Sequence, residues 1–260
     1  MAYEISRRVV LASTLALLPF PRAATASPDD VMRRSRDMRR GLTNSVADVT
    51  MTIRSRGGEI VRRMRQYVLE VPDSGNRTIN VFSSPADVQG VSILTHSALD
   101  GNDQQWLFMP SVGRVRRISS SNRSGAFVGS DFAYEDLSSL ELEKYDFTSA
   151  SETRLGSRSV IEVDYVPRYS GTGYSSIRSY LDRSTYQPIR NIYYNRRGEQ
   201  MKTLDLGNYR SYGSGGIWRP HLLTMTNHAA GSATEIAFSA FQADGTSASN
   251  FSANRFQQVS

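Results

Sequence analysis

The amino-acid sequence predicts an α+β, mostly antiparallel β fold with an N-terminal helix, and three observations support this class. Apolar residues recur at every second position in several segments, which is the period of a strand with one buried face. Glycine- and asparagine-rich turn signals separate these segments. A segment beginning at Ser27 instead combines helical spacing with a helix start signal. Many strands joined by such turns indicate one large sheet, curved into a barrel or part of one.

Residues 1–26 have the organisation of a secretory signal peptide. Arg7 and Arg8 precede a mostly apolar run over residues 9–20, which is shorter than the roughly 20 residues of a membrane-spanning helix. The small residues of Ala24–Ala26 predict cleavage after position 26. The arginine pair partly resembles a twin-arginine signal, so the export route stays open between that system and the general secretory one. The remaining chain, residues 27–260, is expected to be one periplasmic domain.

Composition narrows the classes of protein further. Of 260 residues, 39% are hydrophobic and 10% aromatic, which is enough for a sizeable core and argues against disorder. Cysteine is absent, which excludes disulfides, thiolate metal sites and the lipid-bearing cysteine of a lipoprotein. The formal charge is +6 and falls to +4 on cleavage, because three arginines and one glutamate are removed. An exported basic chain seldom meets nucleic acid, so we expect no nucleic-acid partner and assign the charge to a possible membrane-facing surface.

The start helix has a clear beginning and a narrow apolar stripe. Ser27 is a favoured N-cap residue, Pro28 suits the first helical position, and two acids follow in the first turn. Gly41 is expected to end the helix. The residues at helical spacing are Val31, Ser35, Met38 and Leu42.

The alternation of apolar and polar side chains predicts the strands. In residues 47–53 every second side chain is apolar, which predicts a half-buried strand. A turn at Gly57–Gly58 leads to a second strand over residues 60–71, and residues 161–165 and 236–238 repeat the pattern. The turn signals between strands are Asp73–Asn76, Asp100–Asn102, Arg197–Gly198 and Gly213–Gly216.

Two segments depart from the alternation. Trp106–Met109 is apolar on both faces, so it requires covers on both sides: the start helix on one, and a lid, a second sheet or an apolar ligand on the other. In Ser119–Tyr145 a polar stretch precedes short amphipathic segments that Ser130–Asp131 or Ser138 could cap as helices. This insertion is either a lid or a crossover that plugs the barrel. The serine-rich tail after Gly245 is expected to be loosely held.

Motifs for covalent chemistry are absent from the sequence. The three histidines lack metal-ligand spacing, and no nucleophile elbow, phosphate loop or dinucleotide fingerprint is present, so we predict no metal, no cofactor and no enzyme activity. Asp131, Glu135 and Asp136 cluster, and an envelope hydrolase using the first two is a minor alternative to acids at a helix start. The basic runs 62–65 and 114–117 indicate a solvated strand face or a surface for anionic lipid head groups.

Five segments of the sequence form a recognisable pattern. They are residues 84–90 (SPADVQG), 105–118 (QWLFMPSVGRVRRI), 129–137 (GSDFAYEDL), 216–220 (GIWRP) and 227–228 (NH). Together these segments resemble the outer membrane lipoprotein-sorting protein family, the LolA-like periplasmic proteins. The resemblance covers essentially the whole chain from Val31, and its central motif is long and specific.

This resemblance implies an incomplete, half-open β-barrel, LolA/LolB-like, with the N-terminal helix and short lid helices over its concave face. It implies a monomeric periplasmic carrier or chaperone that binds the acyl chains of a lipoprotein or lipid for transport to the outer membrane. The alternative is an accessory subunit that docks onto an RND-type transporter without independent carrier activity. The residues expected in the cavity or lid are Trp106, Phe108, Phe127, Phe132, Tyr134 and Leu137, and those expected at an anionic head group are Arg114 and Arg116.

Overall fold

A computed structural model describes residues 26–119 and 122–259, so the predicted signal peptide lies outside the described residues except for Ala26. The described chain forms one α-helix, α1 (Pro28–Asp37), and fifteen strands. No helix in this part of the chain is long and apolar enough to cross a membrane. The strands are β1 Asn44–Ser55, β2 Gly58–Leu69, β3 Arg77–Ser84, β4 Ser92–His96, β5 Gln104–Met109, β6 Arg114–Ile118, β7 Tyr145–Leu155, β8 Arg158–Pro167, β9 Ser176–Asp182, β10 Pro188–Tyr194, β11 Gln200–Gly207, β12 Arg210–Tyr212, β13 Ile217–Arg219, β14 Leu222–Asn227 and β15 Ser232–Ala243.

Thirteen of these strands form one antiparallel sheet, which confirms the predicted fold class. Their order is β6-β5-β4-β3-β2-β1-β15-β14-β11-β10-β9-β8-β7, and β12 pairs with β13 separately. The sheet is curved but not closed, since β6 and β7 form its two edges. It is therefore the half-open barrel that the sequence predicts, and the predicted turns all lie between strands.

Helix α1 begins as the sequence predicts and ends earlier. The Ser27 hydroxyl accepts a hydrogen bond from the Asp30 amide at 3.1 Å, which caps the first turn. The helix ends at Asp37, four residues before Gly41, because the amides of Arg39 and Arg40 bond three residues back and tighten the chain into a turn. Its buried face consists of Val31, Met32 and Ser35.

The main core lies on the inner face of the sheet, where α1 and the strands pack together. The alternation in β1 is confirmed: its inward residues are Ala47, Val49, Met51 and Ile53, and all are buried. Their counterparts on the other strands include Phe82, Val163, Leu181 and Met225, each exposed by at most 1%.

The outer face carries a second, smaller core, which corrects two expectations. Trp106 and Phe108 of β5 pack there against Phe251 and Phe256 of the C-terminal segment. Both of these C-terminal rings are fully buried, so the tail is not loosely held. The tail, and not α1, is therefore the cover on one side of the doubly apolar strand, while Leu107 of the same strand packs against the inner core.

The segment between β6 and β7, here called the insert (residues 119–144), crosses the inner face. Its course follows from the topology, because the two strands that it connects form opposite edges of the sheet. Its described part contains three short 3-10 turns, at Phe127–Gly129, Tyr134–Leu137 and Leu142–Lys144, in place of the predicted lid helices.

The predicted helix start at Ser130 does not form because its capping groups have other partners. The Ser130 hydroxyl donates to the Phe127 carbonyl at 2.7 Å. The Asp131 carboxylate instead accepts hydrogen bonds from Ser232 and Thr234 on β15. These contacts fix the insert to the centre of the sheet and leave a compact loop.

Candidate functional site

A cavity of about 280 Å³ lies on the inner face between α1, the insert and one half of the sheet. Its volume is at the low end of ligand pockets, which occupy roughly 300–1,000 Å³. The walls come from β8–β11 and β14, the rim from the end of α1 and the segment around Arg219, and the remaining side from residues 135–140 of the insert. Three classes of side chain line it: aliphatic residues, tyrosines and charged groups.

The aliphatic wall faces α1 from three strands of the sheet. Strand alternation turns every second residue of β9, β11 and β14 toward the cavity. Leu181 is 0% exposed and Leu204 is 5% exposed, whereas Leu206 and Leu223 are half-buried, so most of this wall is shielded from bulk water. The aliphatic residues of these strands are Ile177, Leu181, Leu204, Leu206 and Leu223.

Five tyrosines form a second part of the lining. Tyr145 packs edge-on against Tyr165 and Tyr169 with ring centroids 5.2 and 5.8 Å apart, and Tyr174 lies 4.6 Å from Tyr193. Burial raises the pKa of Tyr165 to about 12 and also raises the pKa of the other four. The hydroxyls therefore stay protonated and can donate hydrogen bonds inside the cavity.

Sequence analysis did not single out these tyrosines. Strand propensity and cross-strand pairing account for dense tyrosine in a β protein without a ligand. The signal that was available is positional: Tyr165 and Tyr193 lie at inward positions of β8 and β10, in register with buried aliphatic residues. Recognising that signal requires knowing which strands are neighbours.

Glu135 and Asp136 bring two carboxylates of the insert to the cavity. Glu135 accepts hydrogen bonds from the Tyr169 hydroxyl and the Gly173 amide, both at 2.9 Å. Asp136 accepts from the Tyr174 hydroxyl at 2.8 Å, and Lys202 lies 3.8 Å away. Burial raises the pKa of both carboxyl groups, and for Glu135 the negative charge of Asp136 acts in the same direction.

These contacts do not support a hydrolytic pair of Asp131 and Glu135. Asp131 is bound to hydroxyls of β15, whereas Glu135 is bound by Tyr169 and Gly173 of the loop between β8 and β9. Each carboxylate is engaged by residues of the fold, and among the described residues the two share no hydrogen-bond partner. Their contacts position the insert.

Four arginines surround the mouth of the cavity, near the end of α1 and at the end of β13. Arg40 is paired with the buried Glu141 of the insert, and Arg36 lies 3.8 Å from Glu143. Arg219 is paired with Glu70 and donates a hydrogen bond to the Arg39 carbonyl. The mouth is therefore lined by guanidinium groups while the opposite wall is aliphatic, which suits a ligand with one charged and one apolar end. The arginines are Arg36, Arg39, Arg40 and Arg219.

Four of the residues that the sequence suggested for the cavity or lid lie on the insert, beside the cavity. Phe127, Phe132 and Tyr134 are buried in the main core, where the insert packs on the sheet, and Leu137 packs against this core. They attach the insert to the sheet but are not part of the cavity lining. The structure therefore gathers these four residues in one place but puts the cavity beside them.

The other four predicted site residues are more distant from the cavity. Trp106 and Phe108 lie on the outer face under the C-terminal segment, because they occupy the opposite pleat of β5 from Leu107. Arg114 and Arg116 lie exposed on β6, an edge strand. Charged residues on an edge also prevent pairing with another sheet, so their exposure has a structural explanation.

Comparisons with known proteins agree on the fold. A family model described as "Uncharacterized protein" matches residues 74–258. A crystal structure described as an outer membrane lipoprotein-sorting protein domain from Vibrio parahaemolyticus has 36% identity, covers 87% of this chain and 96% of its own, and superposes with a TM-score of 0.83. A comparison with curated proteins gives no significant match.

Two further structures have the same fold at lower identity. A DUF1329 family protein from Desulfovibrio piger is 25% identical over 86% of this chain and 95% of its own, with a TM-score of 0.80. A LolA superfamily protein from Nitrosomonas europaea is 17% identical over 88% and 98% of the two chains, with a TM-score of 0.70, and this likeness concerns the fold alone.

Proposed function

The chain belongs to the outer membrane lipoprotein-sorting protein family, and on this premise we propose that it is a periplasmic carrier that binds acyl chains of a lipid or lipoprotein in its inner cavity for transport to the outer membrane. The observation that carries the proposal is the two-sided lining of the cavity. An aliphatic wall faces a mouth lined by arginines, and the cavity lies between α1, the insert and the sheet. The described fold presents the cavity for binding, and the proposal requires no covalent chemistry.

Burial of the acyl chain supplies the affinity. Each methylene group removed from water contributes about 0.8 kcal/mol, so a chain of about ten carbons gains roughly 8 kcal/mol before the costs of ordering. A cavity near 280 Å³ is large enough for one such chain. A cargo with several chains requires the insert to move outward.

Release needs a second conformation that binds the cargo less tightly, since a ligand shifts a two-state equilibrium only by its differential affinity. The insert is the element positioned to provide it. Its contacts with the rest of the fold are apolar where Phe127 and Phe132 enter the main core, and polar at Asp131 on β15 and at Arg40–Glu141 near the end of α1. The polar contacts can exchange with water when the insert moves.

A vesicle assay tests the carrier function. Donor vesicles contain a fluorescent single-chain lipid with a quencher, and acceptor vesicles contain neither, so transfer increases fluorescence. The protein should accelerate transfer in proportion to its concentration. Leu223→Trp, which fills the cavity, should abolish the acceleration, whereas the exposed Val166→Trp should retain it. A wild-type protein that leaves the spontaneous rate unchanged, or an equally active Leu223→Trp variant, would contradict the proposal.

One observation favours the docking subunit as a second candidate. The insert fills the centre of the inner face with its own aromatic residues, among them Phe127 and Phe132, which reduces the space left for cargo. A docking subunit on an RND-type transporter needs no larger cavity. In-cell cross-linking separates the candidates: a docking subunit should reproducibly trap one large membrane protein, and its vesicle transfer should be negligible.

A further inference from the structure

The four arginines at the cavity mouth differ in their ion pairs. Arg36 lies 3.0 Å from Asp37 and 3.8 Å from Glu143. Arg40 is paired with Glu141, and Arg219 lies 2.5 Å from Glu70. Within residues 26–119 and 122–259, Arg39 is the member of this group that has no carboxylate partner.

The surroundings of Arg39 make the lack of a carboxylate partner energetically unfavourable. Its Nε donates to the Ser35 carbonyl at 3.1 Å, which uses one of the five N–H groups of the guanidinium. Burial lowers its pKa, and the charges of Arg219 and Arg40 act in the same direction. The guanidinium nevertheless remains charged at neutral pH. A partly desolvated cation beside other cations is unfavourable until an anion joins it.

Ser35 provides a second, independent observation at the same place. It lies one helical turn before Arg39, so the two residues share one side of the chain, and both line the cavity. Ser35 is 0% exposed, and among the residues that the structure describes its hydroxyl has no hydrogen-bond partner. A buried hydroxyl without a partner is uncommon in a folded protein and indicates a group that a ligand completes.

We propose that Arg39 and Ser35 bind the anionic head group, a carboxylate or a phosphate, of a single-chain lipid whose acyl chain lies along the aliphatic wall. This inference rests on the proposed function and names the class of its cargo. The planar guanidinium offers parallel N–H groups to two oxygens of such a head group, and the serine hydroxyl adds a third donor. The cavity volume favours one acyl chain over several.

The position of Arg39 also explains why Arg114 and Arg116 are poorer choices for the head group. Both lie exposed on the edge strand β6, on the half of the sheet that does not form the cavity. A head group there would remain in water, where ion pairs contribute little. At Arg39 it would lie beside the apolar wall that holds its chain.

The experiment measures binding by titration calorimetry on delipidated protein at neutral pH. The ligands share one alkyl chain and differ in head group: dodecanoate, dodecyl phosphate, dodecanol and dodecyltrimethylammonium, each below its critical micelle concentration. The variants are Arg39→Met, which keeps the length of the side chain without its charge, and Arg39→Lys. Arg33→Met is the matched control, because Arg33 lies exposed on α1 and pairs with Asp30.

Wild type should bind dodecanoate or dodecyl phosphate at least tenfold more tightly than dodecanol, since hydrogen bonds to charged groups have effects of about this size. Arg39→Met should lose this preference, Arg39→Lys should retain part of it, and Arg33→Met should match wild type. The comparison of the carboxylate with the phosphate identifies the head group.

Three results would overturn the inference. The first is equal binding of all four ligands by wild type, which leaves the carrier function intact but removes the role of Arg39. The second is an unchanged preference in Arg39→Met. The third is a clear drop in the thermal stability of ligand-free Arg39→Met, which would show a structural role, because removal of an uncompensated cation should leave stability equal or higher. Failure to bind any of the ligands would instead contradict the proposed function itself.

Discussion

Glu135 and Asp136 are ionisable groups that the insert keeps away from water at neutral pH. Because burial raises the pKa of each carboxyl group in the native state, the native protein binds more protons than the unfolded chain above about pH 4, the ordinary value for such groups. Their contribution to the free energy of unfolding is full below that pH. It is lost as the pH rises through the raised native values.

We therefore predict that Asp136→Asn and Glu135→Gln reduce the decline of stability with rising pH. The measurement is urea unfolding of wild type and each variant at several pH values between 4.5 and 8 (about the range over which carboxyl groups with raised pKa titrate). The difference in unfolding free energy between variant and wild type should shift in favour of the variant as the pH rises. A difference that stays constant with pH would contradict the account.

Asp103 forms ion pairs with two buried cations, and these pairs are expected to contribute to the free energy of unfolding. Its side chain is 3% exposed, and it contacts Arg123 of the insert at 2.9 Å and Lys144 just before β7. Asp103→Ala leaves both cations without their carboxylate, so we predict a loss of about 3–5 kcal/mol in unfolding free energy. The matched control is Asp146→Ala, which removes an exposed pair 3.7 Å long with Arg168.

The control should cost at most about 1 kcal/mol, because exposed ion pairs are weak. Chemical denaturation of both variants gives the comparison. Equal effects of the two substitutions would show that the Asp103 network does not hold the insert in place.

At the scale of the element, the sequence predicts regular strands well and the insert poorly. The alternation over residues 47–53 identifies β1 because period-two burial is a local property of the chain. The insert offers Ser130 and Ser138 as helix starts, but its contacts with β15 and β11 override those local preferences. The C-terminal segment is mostly polar in sequence. Its Phe251 and Phe256 side chains are nevertheless buried against a strand that is distant in sequence.

The cavity is hard to predict for the same reason. Its lining comes from α1, the insert and seven strands, and the neighbour order of those strands is not a local property. The sequence correctly predicts a mostly β fold whose inner face is covered by other segments of the chain. It places the aromatic residues of the insert in the cavity or its lid, and in the structure they lie on the insert, in the core beside the cavity.

The two tryptophans give a test at this scale, because Trp218 lies next to cavity residues and Trp106 lies in the outer core. The Trp218 amide donates to the Met38 carbonyl at 3.1 Å, next to the cavity residues Arg219 and Pro220. Trp106 packs on the outer face against His96, with ring centroids 4.9 Å apart. Ligand binding should therefore change the emission of Trp218 and leave that of Trp106 unaltered.

The measurement is a fluorescence titration of two single variants with dodecanoate. Trp106→Phe should show the same ligand-induced change as wild type, and Trp218→Phe should show almost none. The reverse pattern would place the ligand on the outer face and contradict the assignment of the cavity.

At the scale of the whole molecule, one open sheet provides both a rigid support and a movable cover. Its edge strands β6 and β7 are consecutive in the chain, and the buried rings of the connection between them place that connection on the inner face. This connection is the insert, which is fixed at its centre by Asp131 and at its end by Glu141. The fold thus places a separate segment beside an apolar cavity, where its movement would change the affinity for a ligand.

The most direct test of this account is the identity of the molecule that co-purifies with the protein. The protein is isolated from its native envelope fraction without detergent and examined by native mass spectrometry, followed by extraction and analysis of its lipids. The account predicts one bound single-chain lipid with an acidic head group in wild type, and its loss in Arg39→Met. A wild-type protein that repeatedly carries no lipid, and takes up none from vesicles, would contradict the central claim.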